Sequence, residues 1–377
     1  MDIPQANSDI LPACIALSMG KGVTASVARE LMCRFGSAQE FFARSRSEME
    51  AVVGLRNNLF ADEMRRQLLD AARKECAFIE ANSIHPFFID SDGYPERLSQ
   101  CDDAPVMLYT LGSPVLDSPY VIGIVGTRHS TPYGLDFTNA LVSDLAAALP
   151  GVVIVSGLAY GIDVAAHTAA LKAATPTVGV LAHGLNTIYP AAHRDIAARM
   201  VRAGGMLVTE YPSSAGIHRS NFLARNRIVA GLCDCIVVVE SDIKGGALST
   251  ARIAGEYSRD VFAVPGRITD KYSRGTNRLI ADNAACLIRD ASDILDHMGW
   301  TSAVLSTRID NLFDTLSPEQ QTIIDIIRKK PDATANDICV LSGLPYNIVA
   351  DRLFQLEIDD LISIRPGGSY GLSASLI

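Results

Sequence analysis

The chain of 377 residues is long enough for two or three domains. Its formal net charge of −9 argues against a polycation that coats nucleic acid, although a local basic groove stays compatible with it. The eight cysteines show neither CxxC pairs nor metal-ligand spacing, and no apolar run approaches a membrane span. We therefore expect a reduced, cytoplasmic protein without a leader peptide, membrane contact, metal site or cofactor.

Residues 1–82 are predicted to form a helical N-terminal domain, like a sterile alpha motif (SAM) or a helix-hairpin-helix unit. Apolar residues recur at helical spacing from Ile10 to Phe35, and Met19–Val23 forms a glycine hairpin between two helices. Such a hairpin can offer backbone N–H groups to a nucleic-acid phosphate. A small bundle used only for packing explains the pattern equally well, so both interpretations stay open.

Residues 83–298 are predicted to form the central domain, which begins with an extension that adds edge strands. Short apolar strands then alternate with helical stretches, and continuous apolarity indicates that both sheet faces are covered. This predicts an α/β fold with a Rossmann-like, doubly wound, mostly parallel sheet. Six strands are expected at Tyr120–Val125, Val152–Val155, Thr177–Leu181, Met206–Thr209, Cys235–Glu240 and Val261–Val264.

The predicted strand ends carry glycines together with cations or other hydrogen-bond donors. The second strand leads into Ser156–Asp163, where two glycines precede a helix start, a junction that favours a phosphate. Glycines that merely relieve crowding are the simpler explanation of this stretch alone. Because ligands bind at the carboxyl ends of parallel strands, the donor-rich ends together predict one binding rim.

Candidate general bases are few at this rim. Asp163 lies inside a helix start, where a carboxylate is as readily a cap as a catalyst, and His167 follows one turn later. Both are interpreted as supporting the turn, and Glu210 is the one strand-end carboxylate without a capping role. A rim rich in phosphate donors and poor in acid–base pairs predicts a binding surface without catalytic residues.

Residues 299–315 have the composition of a linker, and residues 316–377 are predicted to form a winged-helix domain. Three helices precede a β-ribbon, and the helix Pro345–Glu357 in the position of a DNA reader carries only Arg352 as a cation. From Asp310 onward, the chain contains ten acidic and five basic residues. We expect this domain to dock protein rather than DNA.

These motifs, in this order, resemble the DNA-processing protein A family, known as DprA or Smf. The resemblance rests on Asp92–Pro95, Asp103–Pro105, Ile124–Arg128, Ser156–Asp163 with His167, Gly184–Leu185, Tyr189–Pro190, Glu210–Pro212, Phe222–Arg227 and Val264–Gly266. It implies a non-enzymatic, sequence-nonspecific single-stranded DNA-binding protein that protects incoming DNA in natural transformation. It also implies loading of the RecA recombinase and a homodimer formed through the Rossmann-like domain.

With the resemblance, the rim is expected to bind nucleic acid. Cations hold the backbone, backbone amides of the Ser156–Gly161 turn meet a phosphate, and Phe222 stacks a base unless it is a core residue. Gly245-Gly246 stands where the family usually has Ser-Gly, and Arg219 stands near a frequent lysine. The expected site comprises Arg128, Ser156, Gly157, Ala159, Gly161, Arg219, Phe222, Arg225, Asn226, Arg227, Lys244, Gly245, Gly246 and Arg267.

Two other functions remain as alternatives. A Rossmann-like nucleotide hydrolase of the phosphoribohydrolase type would use Glu210, although the Pro-Gly-Gly-x-Gly-Thr-x-x-Glu loop of such enzymes is missing from the sequence. A scaffold that recruits a regulator through its C-terminal domain is the second. The sequence does not identify a dimer surface, for which the apolar candidates are Leu279, Ile280, Leu287 and Ile288.

Overall fold

The computed structural model describes residues 10–53, 59, 61–300, 316–330, 333–358, 361–365 and 368–372. The chain divides into two compact units, Met1–Ala291 and Ser292–Ile377. Of the predicted linker, residues 301–315 lie outside the described residues. The finer division into residues 1–82, 83–298, 299–315 and 316–377 stays a prediction.

The first unit begins with helices that pack around Phe41, Leu17 and Ile15, which are fully buried. Local capping explains where these helices start, since the hydroxyl of Ser37 accepts from the Glu40 amide at 3.1 Å. The predicted glycine hairpin is the turn between the first two helices. The helices are α1 (Ile10–Ser18), α2 (Ala25–Phe35), α3 (Ala38–Ala43), α4 (Arg46–Val53) and α5 (Asp62–Ala81).

The described residues of this unit form a nine-stranded, mostly parallel sheet, in agreement with the predicted α/β class. Its strands are β1 (His85–Phe88), β2 (Met107–Gly112), β3 (Val121–Val125), β4 (Val153–Ser156), β5 (Thr177–Val180), β6 (Met206–Thr209), β7 (Cys235–Val238), β8 (Asp260–Ala263) and β9 (Cys286–Leu287). Their order is β1-β2-β6-β5-β4-β3-β7-β8-β9. The pairs β1–β2 and β2–β6 are antiparallel, and the other neighbouring strands are parallel. The six predicted central strands lie within two residues of β3 to β8, because their buried apolar residues mark them clearly.

Helices cover the sheet between the strands. Right-handed crossovers place α7 and α8 on one face and α10 and α11 on the other, because the chain runs in opposite directions across the sheet in the two cases. The helices of this unit are α6 (Glu96–Ser99), α7 (Pro132–Ala148), α8 (Ile162–Lys172), α9 (Arg194–Arg202), α10 (Arg219–Leu232), α11 (Gly246–Glu256) and α12 (Arg274–Ala281). The next helix, α13 (Ala291–His297), starts at the last residue of this unit and continues into the second. Within the described ranges, no helix has both the length and the apolar composition that crossing a bilayer requires.

In the second unit, the described residues form three further helices and a small antiparallel sheet. Capping boxes at Ser317 and Thr334 start two of the helices, and Gly343 ends one of them in a left-handed conformation. Ile323, Val349 and Leu353 are buried in its core. The elements are α14 (Pro318–Lys329), β10 (Ala333–Thr334), α15 (Ala335–Ser342), α16 (Tyr346–Ile358), β11 (Ile362–Arg365) and β12 (Ser369–Leu372).

Candidate nucleic-acid interface

The candidate interface lies at the carboxyl ends of the parallel strands, where the strand order changes direction between β3 and β7. Such a switch point is the usual ligand position in an open α/β sheet. The loops that follow these two strands contact each other, since the Thr127 amide donates to the Glu240 carbonyl at 2.7 Å. The buried Glu240 carboxylate accepts from the amide and the hydroxyl of Thr131, and so caps α7.

The loop after β4 packs against the loop after β3 at Gly161. Gly161 has a φ of 77°, and a Cβ there would lie 2.2 Å from the Thr127 carbonyl oxygen. A glycine is therefore required both for the left-handed backbone and for the close approach. Ser156, at the end of β4, is fully buried and donates its hydroxyl to the Ile124 carbonyl at 2.6 Å. Its side chain therefore stabilises the turn from inside the protein and does not face the rim.

The carboxylate of Asp163 occupies the inner side of this turn. Its Oδ2 accepts from the Ala159 amide at 3.4 Å, and burial raises the pKa of this carboxyl in spite of the nearby Arg225 guanidinium. The Ala159 amide thus meets the chain's own carboxylate, which disagrees with the phosphate contact expected for it. His167 contacts Thr177 at 2.7 Å, not Asp163, and burial lowers the pKa of His167 to about 3.

Arg225 lies beneath the rim with only 4% of its surface exposed. It donates to the Gly157 carbonyl at 2.6 Å and to the Val180 carbonyl, and so links the ends of β4 and β5. A Cβ on Gly157 would lie 2.4 Å from this guanidinium, which explains the glycine. Burial lowers the pKa of Arg225, with nearby Asp163 opposing the shift. This geometry contradicts a direct phosphate contact by Arg225 and assigns it to positioning the turns.

Arg227 is likewise held within the protein. It forms ion pairs with Glu210 at 2.5 Å and with Asp103 at 3.9 Å. Burial raises the pKa of Glu210, with Arg227 opposing the shift. Because its carboxylate is engaged by a guanidinium, Glu210 is not presented as a free base, and the hydrolase alternative gains no support from the structure.

Exposed groups converge around Arg128 and Phe222. The guanidinium carbon of Arg128 lies 5.6 Å from the Phe222 ring centre, and the Tyr189 ring packs edge-on against the same ring with 5.6 Å between the ring centres. Phe222 is only half-buried, so it is not a core residue of the kind weighed from the sequence. Among the described residues, no carboxylate pairs with the exposed Arg128.

A second aromatic and cationic pair continues from the same loop. The ring of His129, next to Arg128, stacks on Tyr272 with 6.2 Å between the ring centres. The Lys271 ammonium lies 5.3 Å from the Tyr272 ring centre. We name the resulting surface the rim track, defined as Tyr189, Phe222, Arg128, His129, Tyr272 and Lys271.

The loop after β7 supplies further donors. Lys244 is exposed, and α11 starts at Gly246 without a side-chain cap on its first turn. The amide of the preceding Gly245 is already engaged, since it donates to the Asp242 carbonyl at 2.8 Å. Asn226 Nδ2 donates to the Gly246 carbonyl at 3.4 Å and connects this loop with α10. Such a helix start beside a lysine suits a phosphate.

The remaining predicted cations, Arg219 and Arg267, are exposed at the start of α10 and after β8. Sequence reasoning did not select Tyr160, Tyr189, Tyr272 or Lys271. Tyr160 and Tyr189 are about half exposed, and both occur in strand-end loops. An aromatic residue in a loop that should be polar was the signal that could have identified them.

Together, the rim presents exposed cations beside aromatic rings, with the buried charges of Arg225 and Asp163 and the partly buried Glu210 beneath it. Cations attract a polyanionic backbone, and ring faces stack unpaired bases of any identity. This arrangement can bind a strand and offers no free acid–base pair among the described residues.

Comparisons with known proteins agree with this geometry. A family model described as DNA recombination-mediator protein A matches residues 85–299. Protein Smf of Escherichia coli (strain K12) is 34% identical over 335 residues, which cover 85% of this chain and 87% of the relative.

Two solved structures are also similar. DNA processing protein A from Streptococcus pneumoniae has a TM-score of 0.63 and 30% identity, covering 76% of this chain and 97% of that one. DNA processing protein A from Helicobacter pylori, described for its single-stranded DNA binding mode, has a TM-score of 0.51 and 31% identity, covering 57% of this chain and 95% of that one. The chain therefore belongs to the DNA recombination-mediator protein A family, the DprA and Smf proteins.

Proposed function

We propose that the chain binds single-stranded DNA without sequence preference along the rim track, protects incoming DNA in natural transformation and passes the strand to a RecA recombinase. The observation that carries the proposal is the unbroken contact of Tyr189, Phe222 and Arg128 on an exposed surface. Single-stranded DNA binding by the Helicobacter pylori relative supports the ligand class.

Each part of the rim has a distinct role in this proposal. Arg128 and Lys244 hold phosphates with help from Arg219 and Arg267, and the uncapped start of α11 at Gly245-Gly246 binds another phosphate. Phe222 and Tyr189 stack bases, which is worth roughly 1–3 kcal/mol per base whatever the base. Ser156, Arg225 and Arg227 position the loops without touching DNA.

A salt titration of the full chain against matched single- and double-stranded oligonucleotides tests the proposal. The logarithm of the association constant for oligo-dT should fall linearly with the logarithm of the salt concentration, with a slope of about −0.7 for each phosphate neutralised. A duplex of equal length should bind more weakly, because its bases are paired and cannot stack on Phe222. Equal affinity for the duplex, or a flat salt response, would contradict the proposal.

We also propose that the chain acts as a homodimer through the sheet edge at β9. Leu287 is 45% exposed on this edge strand, whereas Ile288 is buried and belongs to the core. Leu279 and Ile280 are partly buried nearby in sequence. Light scattering should give a dimer for the parent chain and a monomer for Leu287→Glu, because a charge on an edge strand opposes pairing.

For the C-terminal unit, which we interpret as a winged helix, we propose protein docking. Val340, Phe354 and Ile358 are each more than 60% exposed there, and apolar exposure of this extent marks interaction surfaces. RecA transfer is tested by adding RecA to strands coated with this protein and following RecA filament formation. An unchanged or slower rate than on bare DNA would argue against loading.

A further inference from the structure

A groove of about 290 Å³ lies between α7 and α8, on the sheet face opposite α10. It begins at Ser130, two residues beyond Arg128, and at Gly161. Gly161 packs against the Thr127 carbonyl and has no side chain, so it does not separate the rim track from the groove at this position.

The lining of the groove combines apolar side chains with one amide and with the hydroxyl groups of Ser130 and Thr168. Leu135 and Val164 supply apolar walls, against which a base can lie. Asn139 uses its Nδ2 to donate to the Leu135 carbonyl at 2.8 Å, which leaves its amide oxygen as an acceptor for a base edge. Apolar walls with one amide and two hydroxyl groups match a nucleotide better than they match a fully charged ligand.

Lys172 lines the far end of the groove. It is exposed, and within the described ranges no carboxylate forms an ion pair with its ammonium group. Helix α8 runs for 11 residues from Ile162 to Lys172, so the α carbon of Lys172 lies about 15 Å along the helix from that of Ile162. At 3.4 Å per nucleotide of a stacked strand, that length corresponds to about four nucleotides, and to fewer when the strand is extended.

We propose that this groove is a second subsite for the same single strand, which leaves the rim track across Gly161 and meets Lys172 with its backbone. This inference rests on the proposed function and adds a defined path to it. The strand crosses the carboxyl edge of the sheet from the α10 side to the α7–α8 side. The binding site is therefore longer than the rim alone, and its outer part contributes only when the strand is long enough.

The test compares Lys172→Ala in the full chain with Lys74→Ala, a change of an exposed lysine on α5. Affinity is measured for an oligo-dT of about six nucleotides and for one of about fifteen, within the range of known site sizes. Lys172→Ala should weaken the long oligonucleotide about fivefold and reduce the size of its salt slope by about 0.7, while the short one is unaffected. Lys172→Arg should restore the affinity, and Lys74→Ala should change neither value.

A second variant, Val164→Phe, fills the groove without changing charge and should also weaken only the long oligonucleotide. Equal loss for both lengths, or no loss for either, in Lys172→Ala and Val164→Phe would overturn the second subsite. Arg128→Ala separates this outcome from failure of the proposed function, because it should weaken both lengths. If Arg128→Ala weakens neither, the rim track itself is not the binding site.

Discussion

The rim track and the C-terminal unit both expose large apolar side chains, but they place different charges beside them. At the rim, Arg128 lies over Phe222 and Lys271 lies over Tyr272, so each cation sits on a ring face. The C-terminal unit exposes Val340, Phe354 and Ile358 in a segment where acidic residues outnumber basic ones. Cations beside aromatic rings are suited to binding unpaired nucleic acid. The acidic residues around the apolar patch repel nucleic acid, so that patch is better suited to binding a protein.

The two regions also differ in what lies beneath them. The rim loops rest on buried polar groups, in which Arg225 joins two strand ends and Asp163 fills one turn. The C-terminal unit rests on an apolar core and on capped helices. Buried polar networks fix geometry at a cost in stability, so the position of the rim loops should be sensitive to small changes.

The largest effect on stability is expected from Gly161→Ala, which disrupts the packing of the loop after β4 against the loop after β3. The new Cβ would lie 2.2 Å from the Thr127 carbonyl oxygen on a backbone with a φ of 77°. Backbone strain and overpacking together should cost about 3 kcal/mol or more of the free energy of unfolding. Urea denaturation measures this cost, and single-strand affinity should fall with it.

Gly255→Ala is the matched control, because nothing lies within 4 Å of a Cβ at this helical glycine. It should stabilise the protein by about 0.5–1 kcal/mol. Equal changes in the free energy of unfolding for the two substitutions would show that the two loops are not closely packed at Gly161.

The next largest effect is expected from Arg128→Ala combined with Phe222→Ala. Losing one charge-assisted phosphate contact and one stacked base should weaken single-strand binding about 100-fold. Anisotropy with labelled oligo-dT measures the loss, and the fold should remain intact because Arg128 is exposed and Phe222 is only half-buried. Arg66→Ala, an exposed arginine on α5, is the control and should bind like the parent chain.

Much of this comparison was predictable from the sequence. Continuous apolar runs predict buried strands, and the central strands lie close to their predicted limits. Because parallel strands all end at one edge, the sequence also predicts that their glycine-rich ends meet. The acidic excess of the C-terminal segment is visible in the composition alone.

The direction of individual side chains was harder to predict. Arg128 and Arg225 are the same residue type in similar motifs, yet one is exposed and the other is buried. Helical spacing contained a hint, since Arg225 lies three and four residues before the buried Ile228 and Val229 and shares their face. The contacts of Tyr189 and Tyr272 join loops distant in sequence, and no local pattern reports them.

A smaller effect is expected from a change in pH, which should alter the free energy of unfolding of the unit that carries the rim. The pKa of His167 is about 3 in the folded chain because of its burial, against an ordinary value of 6.5. Between these values the unfolded chain binds a proton that the folded chain does not, so stability is lost as pH falls below the unfolded pKa. The loss from this group should be about 2 kcal/mol at about pH 5.

His167→Gln should remove this acid sensitivity, as measured by urea denaturation at several pH values between about 5 and 7. The parent and variant curves should therefore converge as pH falls. His129→Gln alters an exposed histidine and should keep the parent's pH dependence. Parallel parent and His167→Gln curves would contradict a buried neutral imidazole beneath the rim.

The smallest effect is expected from deleting residues 310–377, and it tests the other side of the comparison. If the rim alone binds DNA, single-strand affinity should change by less than about twofold. The reason is that the deleted segment has a net negative charge and so contributes little attraction for phosphates. Removing net negative charge should, if anything, tighten binding slightly at low salt. A collapse of binding would instead make the C-terminal unit the DNA reader, and the exposed Phe354 and Ile358 would then need an explanation other than protein docking.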